Sequence, residues 1–145
     1  DCYTYMFAGC TSLTSAPVLP AETLAENCYI SMFASCYSLE VAPELKAAKL
    51  DLRCYEYMFS YCTSLKEAPE LPAETLVQSC YEGMFSGCTS LNNIKMLATD
   101  ISAYNCLNDW VKDVPATGGT FTMSTSASFT PSEIGIPTDW TVVKQ

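Results

Sequence analysis

The most constraining feature of this sequence is a cysteine that returns every 26 residues. Cysteines stand at positions 2, 28, 54, 80 and 106, and a second series stands at 10, 36, 62 and 88. Internal periods of roughly 20–50 residues mark arrays in which units stack, because one unit cannot bury its apolar face alone. The sequence predicts four units, residues 1–27, 28–53, 54–79 and 80–105, followed by a degenerate fifth unit and β-containing cap, residues 106–145.

Each unit carries signals for one helical segment and one short strand. The shared frame is C-Y-x-x-M-F-x-x-C-x-S-L, usually followed by x-x-A-P-x-L-P-A-E-T-L. Pro20 and Pro72, each followed by Ala and Glu, are typical of helix starts, and Leu24, Cys28 and Met32 would then share one apolar face. The residues from Ser12 to Ala16 predict a strand, so the frame indicates an α/β solenoid with parallel strands.

The runs Met-Phe-x-x-Cys-x-Ser-Leu and Leu-Pro-Ala-x-Thr-Leu resemble the BspA-like leucine-rich repeats of surface proteins from Bacteroidetes. The expected fold is accordingly a leucine-rich-repeat-like α/β solenoid of 26-residue units with a C-terminal cap. The resemblance implies a non-catalytic adhesion or binding protein, secreted or held at the outer-membrane surface, with its targeting signal outside this chain. Ligands differ within that family, so no binding residues carry over.

Charge and composition narrow the classes of function. The formal charge is −9 and there is no histidine, so a basic surface for nucleic acid, a serine-protease-type triad and a Cys-His pair are all excluded. Cysteines within a unit are spaced C-x7-C, unlike the close pairs of zinc sites. No apolar run approaches the roughly 20 residues that span a bilayer. We therefore expect no enzyme, no cofactor, no metal and no membrane insertion.

The cysteine columns have a structural interpretation. Stacked units about 4.8 Å apart would place neighbouring cysteines within reach of a disulfide, whose Cα atoms lie roughly 4.4–6.8 Å apart. A column of five must leave one thiol over, and cysteine packs well as a small apolar residue. We expect most of the nine to be buried free thiols.

The two ends of the array need different cover. Residues Thr120–Met123 and Thr141–Lys144 predict strands, and Trp110, Phe121 and Trp140 supply apolar area to close the end of the stack. No equivalent cap precedes Cys2. Upstream sequence, or an oligomer contact, would cover that uncapped N-terminal end.

Two groups of surface residues are candidates for binding a protein or a glycan on a host or neighbouring cell. The first is the variable pair that follows the conserved leucine, and the second is the set of tyrosines outside the regular column. The simpler alternative is that the pairs are solvated spacers. The candidates are Thr14, Ser15, Glu40, Val41, Lys66, Glu67, Asn92 and Asn93, with Tyr5, Tyr37, Tyr57 and Tyr61. A protein partner is the first expectation; a glycan-binding accessory module and a passive spacer are the alternatives.

Overall fold

Within the described residues, regular secondary structure begins only at Asn93. The computed structural model describes residues 2–145, so the predicted start of the first unit at Asp1 lies outside the described residues. Strands β1, Asn93–Met96, β2, Thr117–Met123, and β3, Asp139–Lys144, form a parallel sheet in the order β1-β2-β3. A 3-10 helix, Pro131–Ile134, lies between β2 and β3.

The predicted α/β class, and with it the leucine-rich-repeat-like solenoid of strand-plus-helix units, is wrong. Residues 2–145 contain no α-helix, and their only strands are β1, β2 and β3. The stretches after Pro20 and Pro72 are extended around isolated bridges and then turn repeatedly. The predicted strand from Ser12 to Ala16 is absent as well, because Leu13 donates its N–H to the Cys10 carbonyl in a turn. Most of the chain consists of turns and extended connections.

Backbone hydrogen bonding explains why the apolar segments do not form helices. The N–H of Met32 closes a turn on the Tyr29 carbonyl, whereas the N–H of Phe33 donates to Met58 of the next unit at 2.9 Å. This alternation recurs in the first, third and fourth units. An α-helix requires successive N–H groups to bond four residues back. A segment that gives alternate N–H groups to its neighbour therefore cannot be helical.

Left-handed backbone recurs in three columns spaced by 26 residues, and two of them lie within this alternation, where φ is between 50° and 76°. In the first four units each residue of these two columns donates its N–H to the following unit. The third column is Asn27, Arg53, Ser79 and Asn105, with φ between 52° and 58°. A left-handed residue other than glycine costs about 1–2 kcal/mol, which the bonds between units and the burial they allow must offset. The two columns are Tyr5, Ser31, Tyr57, Gly83 and Asp109, and Gly9, Ser35, Tyr61, Gly87 and Asp113.

Each unit thus has two parts, which we name the turn side and the bridge side. The turn side comprises residues 2–10, 28–36, 54–62 and 80–88, and the bridge side comprises residues 14–24, 40–50, 66–76 and 92–101. Isolated parallel bridges join the bridge sides of the first and second units and of the third and fourth. These bridges are Ser15–Val41, Leu19–Leu45 and Thr23–Lys49, and Glu67–Asn93, Leu71–Met96 and Thr75–Asp100.

Aromatic columns form the centre of the core on the turn side. The rings of Phe7, Phe33, Phe59 and Phe85 stack with centroids 5.5, 5.6 and 5.7 Å apart and planes within 8° of parallel. Each ring stacks on the equivalent phenylalanine of the neighbouring unit because the units repeat in register. Phe33, Phe59 and Phe85 are fully buried. A second column, with centroids 5.8, 6.0 and 6.1 Å apart, contains Tyr3, Tyr29, Tyr55 and Tyr81.

The C-terminal tail lies on the fourth unit. The strands predicted at Thr120–Met123 and Thr141–Lys144 are present within β2 and β3, and β2 pairs with β1 of the fourth unit. The Trp110 ring packs between Phe85 and Phe121, with centroids 6.3 and 6.4 Å away. Trp140 packs elsewhere, over Gly119, and its indole N–H donates to the Pro115 carbonyl at 2.8 Å.

Truncation of one ring within the phenylalanine column should destabilise the stack. Phe59 is fully buried between two rings, so we expect Phe59→Ala to lower the free energy of unfolding by about 3–5 kcal/mol. Phe7 is half-buried and stacks on one ring only, so Phe7→Ala should cost clearly less. Urea unfolding of both variants measures the difference, and equal costs would show that the column is not the core.

Candidate functional site

The cysteines belong to the core. The thiols of Cys36, Cys62 and Cys88 each donate to the carbonyl of a phenylalanine in the preceding unit, at 3.1, 3.2 and 3.1 Å. All nine cysteines are free thiols and seven are buried. Burial raises the pKa of Cys80 and Cys88 from the ordinary value of 9.0 to about 12, so these thiols stay protonated and unreactive near neutral pH. No His, Cys, Asp and Glu grouping suited to a metal occurs within residues 2–145.

The predicted variable pairs form an exposed row along the bridge side. All eight of their residues are exposed: Thr14, Ser15, Glu40, Val41, Lys66, Glu67, Asn92 and Asn93. Backbone bridges join the pairs of the first and second units and of the third and fourth units. Backbone pairing along the row is therefore present at its two ends and absent at its centre.

A groove of about 580 Å³ lies at that centre, between the second and third units. Glu40, Val41 and Ala42 line it from the second unit, and Lys66 and Glu67 line it from the third. Within residues 2–145 no bridge joins these two units on the bridge side, although hydrogen bonds on the turn side continue between them. Backbone pairing between these two units is thus continuous on the turn side and interrupted on the bridge side.

Four backbone groups on the groove walls lack the partners that their equivalents have. The N–H groups of Ala16 and Ala68 donate to the following unit at 3.1 and 2.9 Å, but that of Ala42 has no backbone acceptor in the described chain. The carbonyl of Glu40 and the N–H of Lys66 are likewise unpaired, and so is the Glu67 carbonyl. Each wall therefore presents one donor and one acceptor. Sequence reasoning found the side chains of the groove but not the break in pairing, for which the sequence carries no signal that we recognise.

Two of the predicted tyrosines lie over glycines of the next unit. Tyr57 covers Gly83 and Tyr61 covers Gly87, since a Cβ added at these glycines would lie 2.1 and 2.5 Å from the tyrosine rings. The two rings remain 37% and 54% exposed, so each has a face or edge in solvent. Tyr5 and Tyr37 are exposed too.

Acidic groups surround Tyr57. Burial first, and then Glu82, Glu56 and Asp109, raise the pKa of its hydroxyl, against an opposing effect of Arg53. Arg53 donates two hydrogen bonds to the Glu56 carboxylate, which is itself almost buried. The surroundings of the ring are therefore rich in hydrogen-bond acceptors.

The glycines under the two tyrosines, Gly83 and Gly87, are left-handed positions within turns. Gly83 shares a column with Tyr57, and Gly87 shares one with Tyr61. The replacement of tyrosine by glycine one unit later was the signal that could have revealed a ring lying over a glycine.

No protein-family model, curated protein or solved structure matches this chain. The resemblance to BspA-like surface proteins therefore stays a prediction. In the part of the chain that the structure describes, no helix is long and apolar enough to cross a bilayer.

The buried thiols should make stability fall at alkaline pH. Unfolded thiols ionise near the ordinary pKa of 9.0, whereas Cys80 and Cys88 ionise in the folded state near 12. Their contribution is fully present below about pH 9 and is lost as the pH rises towards 12, by up to about 1.4 kcal/mol per thiol and pH unit. Urea unfolding at pH 8 to 11 measures the slope. Cys80→Ala with Cys88→Ala should make the slope shallower without abolishing it, because burial also raises the pKa of Cys54 and Cys62; an unchanged slope in the double variant would contradict the assignment.

A methyl group at Gly83 should displace the Tyr57 ring. Gly9 supplies a matched control, because both glycines have positive φ but nothing lies within 4 Å of a Cβ at Gly9. Alanine at either position adds backbone strain of about 1–2 kcal/mol, and Gly83→Ala should cost more because it also removes the ring contact. Urea unfolding tests the difference, and equal losses would mean that Tyr57 does not pack on Gly83.

Proposed function

We propose that this chain is a non-catalytic binding module that recognises an extended segment of a protein partner in the groove between the second and third units. The observation that carries the proposal is the break in backbone pairing at this junction. Extended segments bind exposed backbone edges through main-chain hydrogen bonds, while side chains beside the edge select the sequence. The two donors and two acceptors of the groove walls suit such a segment.

The side chains of the groove suggest which segments it prefers. Lys66 has no ion-pair partner within residues 2–145, so it is free to pair with an acidic side chain. Val41 is 61% exposed and would pack against an apolar one. Glu40 and Glu67 would repel a second acidic group. The expected ligand is therefore an extended segment with one acidic and one apolar side chain near each other.

A displayed library of linear peptides tests this proposal on the intact protein. Selected peptides should share an acidic residue, and fluorescence anisotropy should show that Lys66→Glu weakens their binding about tenfold, equivalent to about 1.4 kcal/mol. Lys66 is exposed, so its replacement should change the stability by less than about 0.5 kcal/mol.

Lys112→Glu is the matched control, since it makes the same charge change at an exposed residue outside the groove. It should leave the binding of the selected peptides unchanged. Equal losses of affinity in both variants would show that only net charge matters. A library that yields no binder dependent on Lys66 would contradict the assignment of the groove as the binding site.

A second candidate function is the binding of a glycan, and the tyrosines over glycines favour it. Exposed aromatic rings can stack on sugar rings, and Glu82 and Asp109 near Tyr57 would accept hydrogen bonds from sugar hydroxyls. Asn108 already donates to the Glu82 carboxylate at 3.2 Å. This arrangement is separate from the groove, whose lining contains no tyrosine.

A glycan array separates the two functions. If the tyrosines bind sugars, Tyr57→Ala and Tyr61→Ala should abolish the array signal, whereas Tyr104→Ala, at a 72% exposed ring, should not. Binding of glycans alone would favour the accessory module, and an absence of binding to peptides, extracellular-matrix proteins and glycans would favour a spacer.

The proposed setting is the extracellular or outer-membrane surface of a bacterium. Support comes from the resemblance of the Met-Phe-x-x-Cys-x-Ser-Leu frame to BspA-like proteins. The charge of −9 disfavours nucleic acid as the partner.

A further inference from the structure

The first unit exposes an apolar face that every later unit has covered. Met6 is 57% exposed, whereas its equivalent Met32 is 2% exposed, and Tyr3 is 55% exposed against 4% for Tyr29. A hollow of about 440 Å³ on this face is lined by these four side chains with Phe7 and others. We name this surface the N-terminal face.

Hydrogen bonds on the turn side give the N-terminal face a direction. At the first junction, N–H groups of the first unit donate to Ile30, Met32 and Ala34 of the second at 2.9, 2.9 and 2.8 Å. These three columns keep the same direction at the next three junctions, whereas the Tyr29 N–H donates back to the Cys2 carbonyl at 3.1 Å at the first. The equivalent carbonyls of the first unit accept no backbone hydrogen bond within residues 2–145. They belong to Thr4, Met6 and Ala8.

Cys10 completes the set of unpaired groups. Its equivalents Cys36, Cys62 and Cys88 each donate the thiol hydrogen to a phenylalanine carbonyl of the unit before. Cys10 is exposed and makes no such bond. The N-terminal face therefore offers three acceptors, one thiol donor and an apolar hollow. The second unit has the same groups on the side that contacts the first unit.

We propose that the N-terminal face binds a further 26-residue unit of this chain's own frame, C-Y-x-x-M-F-x-x-C, in the register of the interior junctions. Such a unit presents N–H groups at its alternate turn positions to the three carbonyls, a phenylalanine carbonyl to the Cys10 thiol, and Met and Phe side chains to the hollow. A second copy placed face to face does not fit, because the carbonyls of both copies would oppose each other.

An N-terminal extension tests this proposal on the full chain. A copy of residues 53–78 placed before Asp1 restores the 26-residue spacing, since Asp1 then follows Gln78 as Ser79 does. The control extension has the same length but carries Ser in place of the copies of Met58, Phe59 and Cys62. Native proteins are treated with iodoacetamide, and alkylation at each cysteine is followed by mass spectrometry.

With the intact copy, alkylation of Cys10 should slow to the rate of Cys36, and the urea midpoint should rise. With the control extension, Cys10 should react as fast as in the chain without an extension. Equal Cys10 rates in the two extended proteins would overturn the proposal. So would protection of Cys10 in the original chain together with a larger assembly in sedimentation, because the occupant would then be a second copy.

Discussion

Hydrogen bonds that run between units on the turn side determine the rest of this structure. Because alternate N–H groups bond to the next unit, the chain cannot form a helix there, and left-handed residues recur at fixed positions. The period of 26 residues then brings each side chain onto its equivalent. The phenylalanine and tyrosine columns are a direct result of that register.

The turn side and the bridge side of a unit place different constraints on which residues can occupy them. On the turn side, residue identity is restricted because rings stack on rings and each thiol of the second column reaches a phenylalanine carbonyl. On the bridge side, single backbone bridges leave the outward side chains free to vary, as Ser15, Val41, Glu67 and Asn93 do in the same column. The residues that vary are therefore those that face solvent, which is where recognition of a partner would be expected.

The sequence predicted the period, the exposed positions and the tail strands, but not the local backbone. Leu24, Cys28 and Met32 lie four residues apart, and an apolar face of this kind fits a helix and an array of turns equally well. Left-handed conformation is expected at Gly9 but not at Tyr5 or Tyr57, where only the bond to the next unit makes it favourable. The break in pairing at the groove had no signal: Val41 pairs with Ser15 and Glu67 pairs with Asn93, all four in the same column, yet Val41 and Glu67 do not pair with each other.

The direction of the inter-unit bonds explains why the two ends of the stack are closed differently. Towards the C-terminus, β2 of the tail pairs with β1 of the fourth unit, and the Thr120 N–H donates to the Asn92 carbonyl at 2.8 Å. On the turn side the tail supplies an aromatic contact, because Trp110 packs between Phe85 and Phe121 and its indole N–H reaches the Ile134 carbonyl. The bonds have a prevailing direction only on the turn side, because on the bridge side Ala16 donates to Val41 of the next unit while Glu40 donates back to Thr14. The tail can therefore close the bridge side by strand pairing, whereas the carbonyls of the N-terminal face need N–H groups from a turn side.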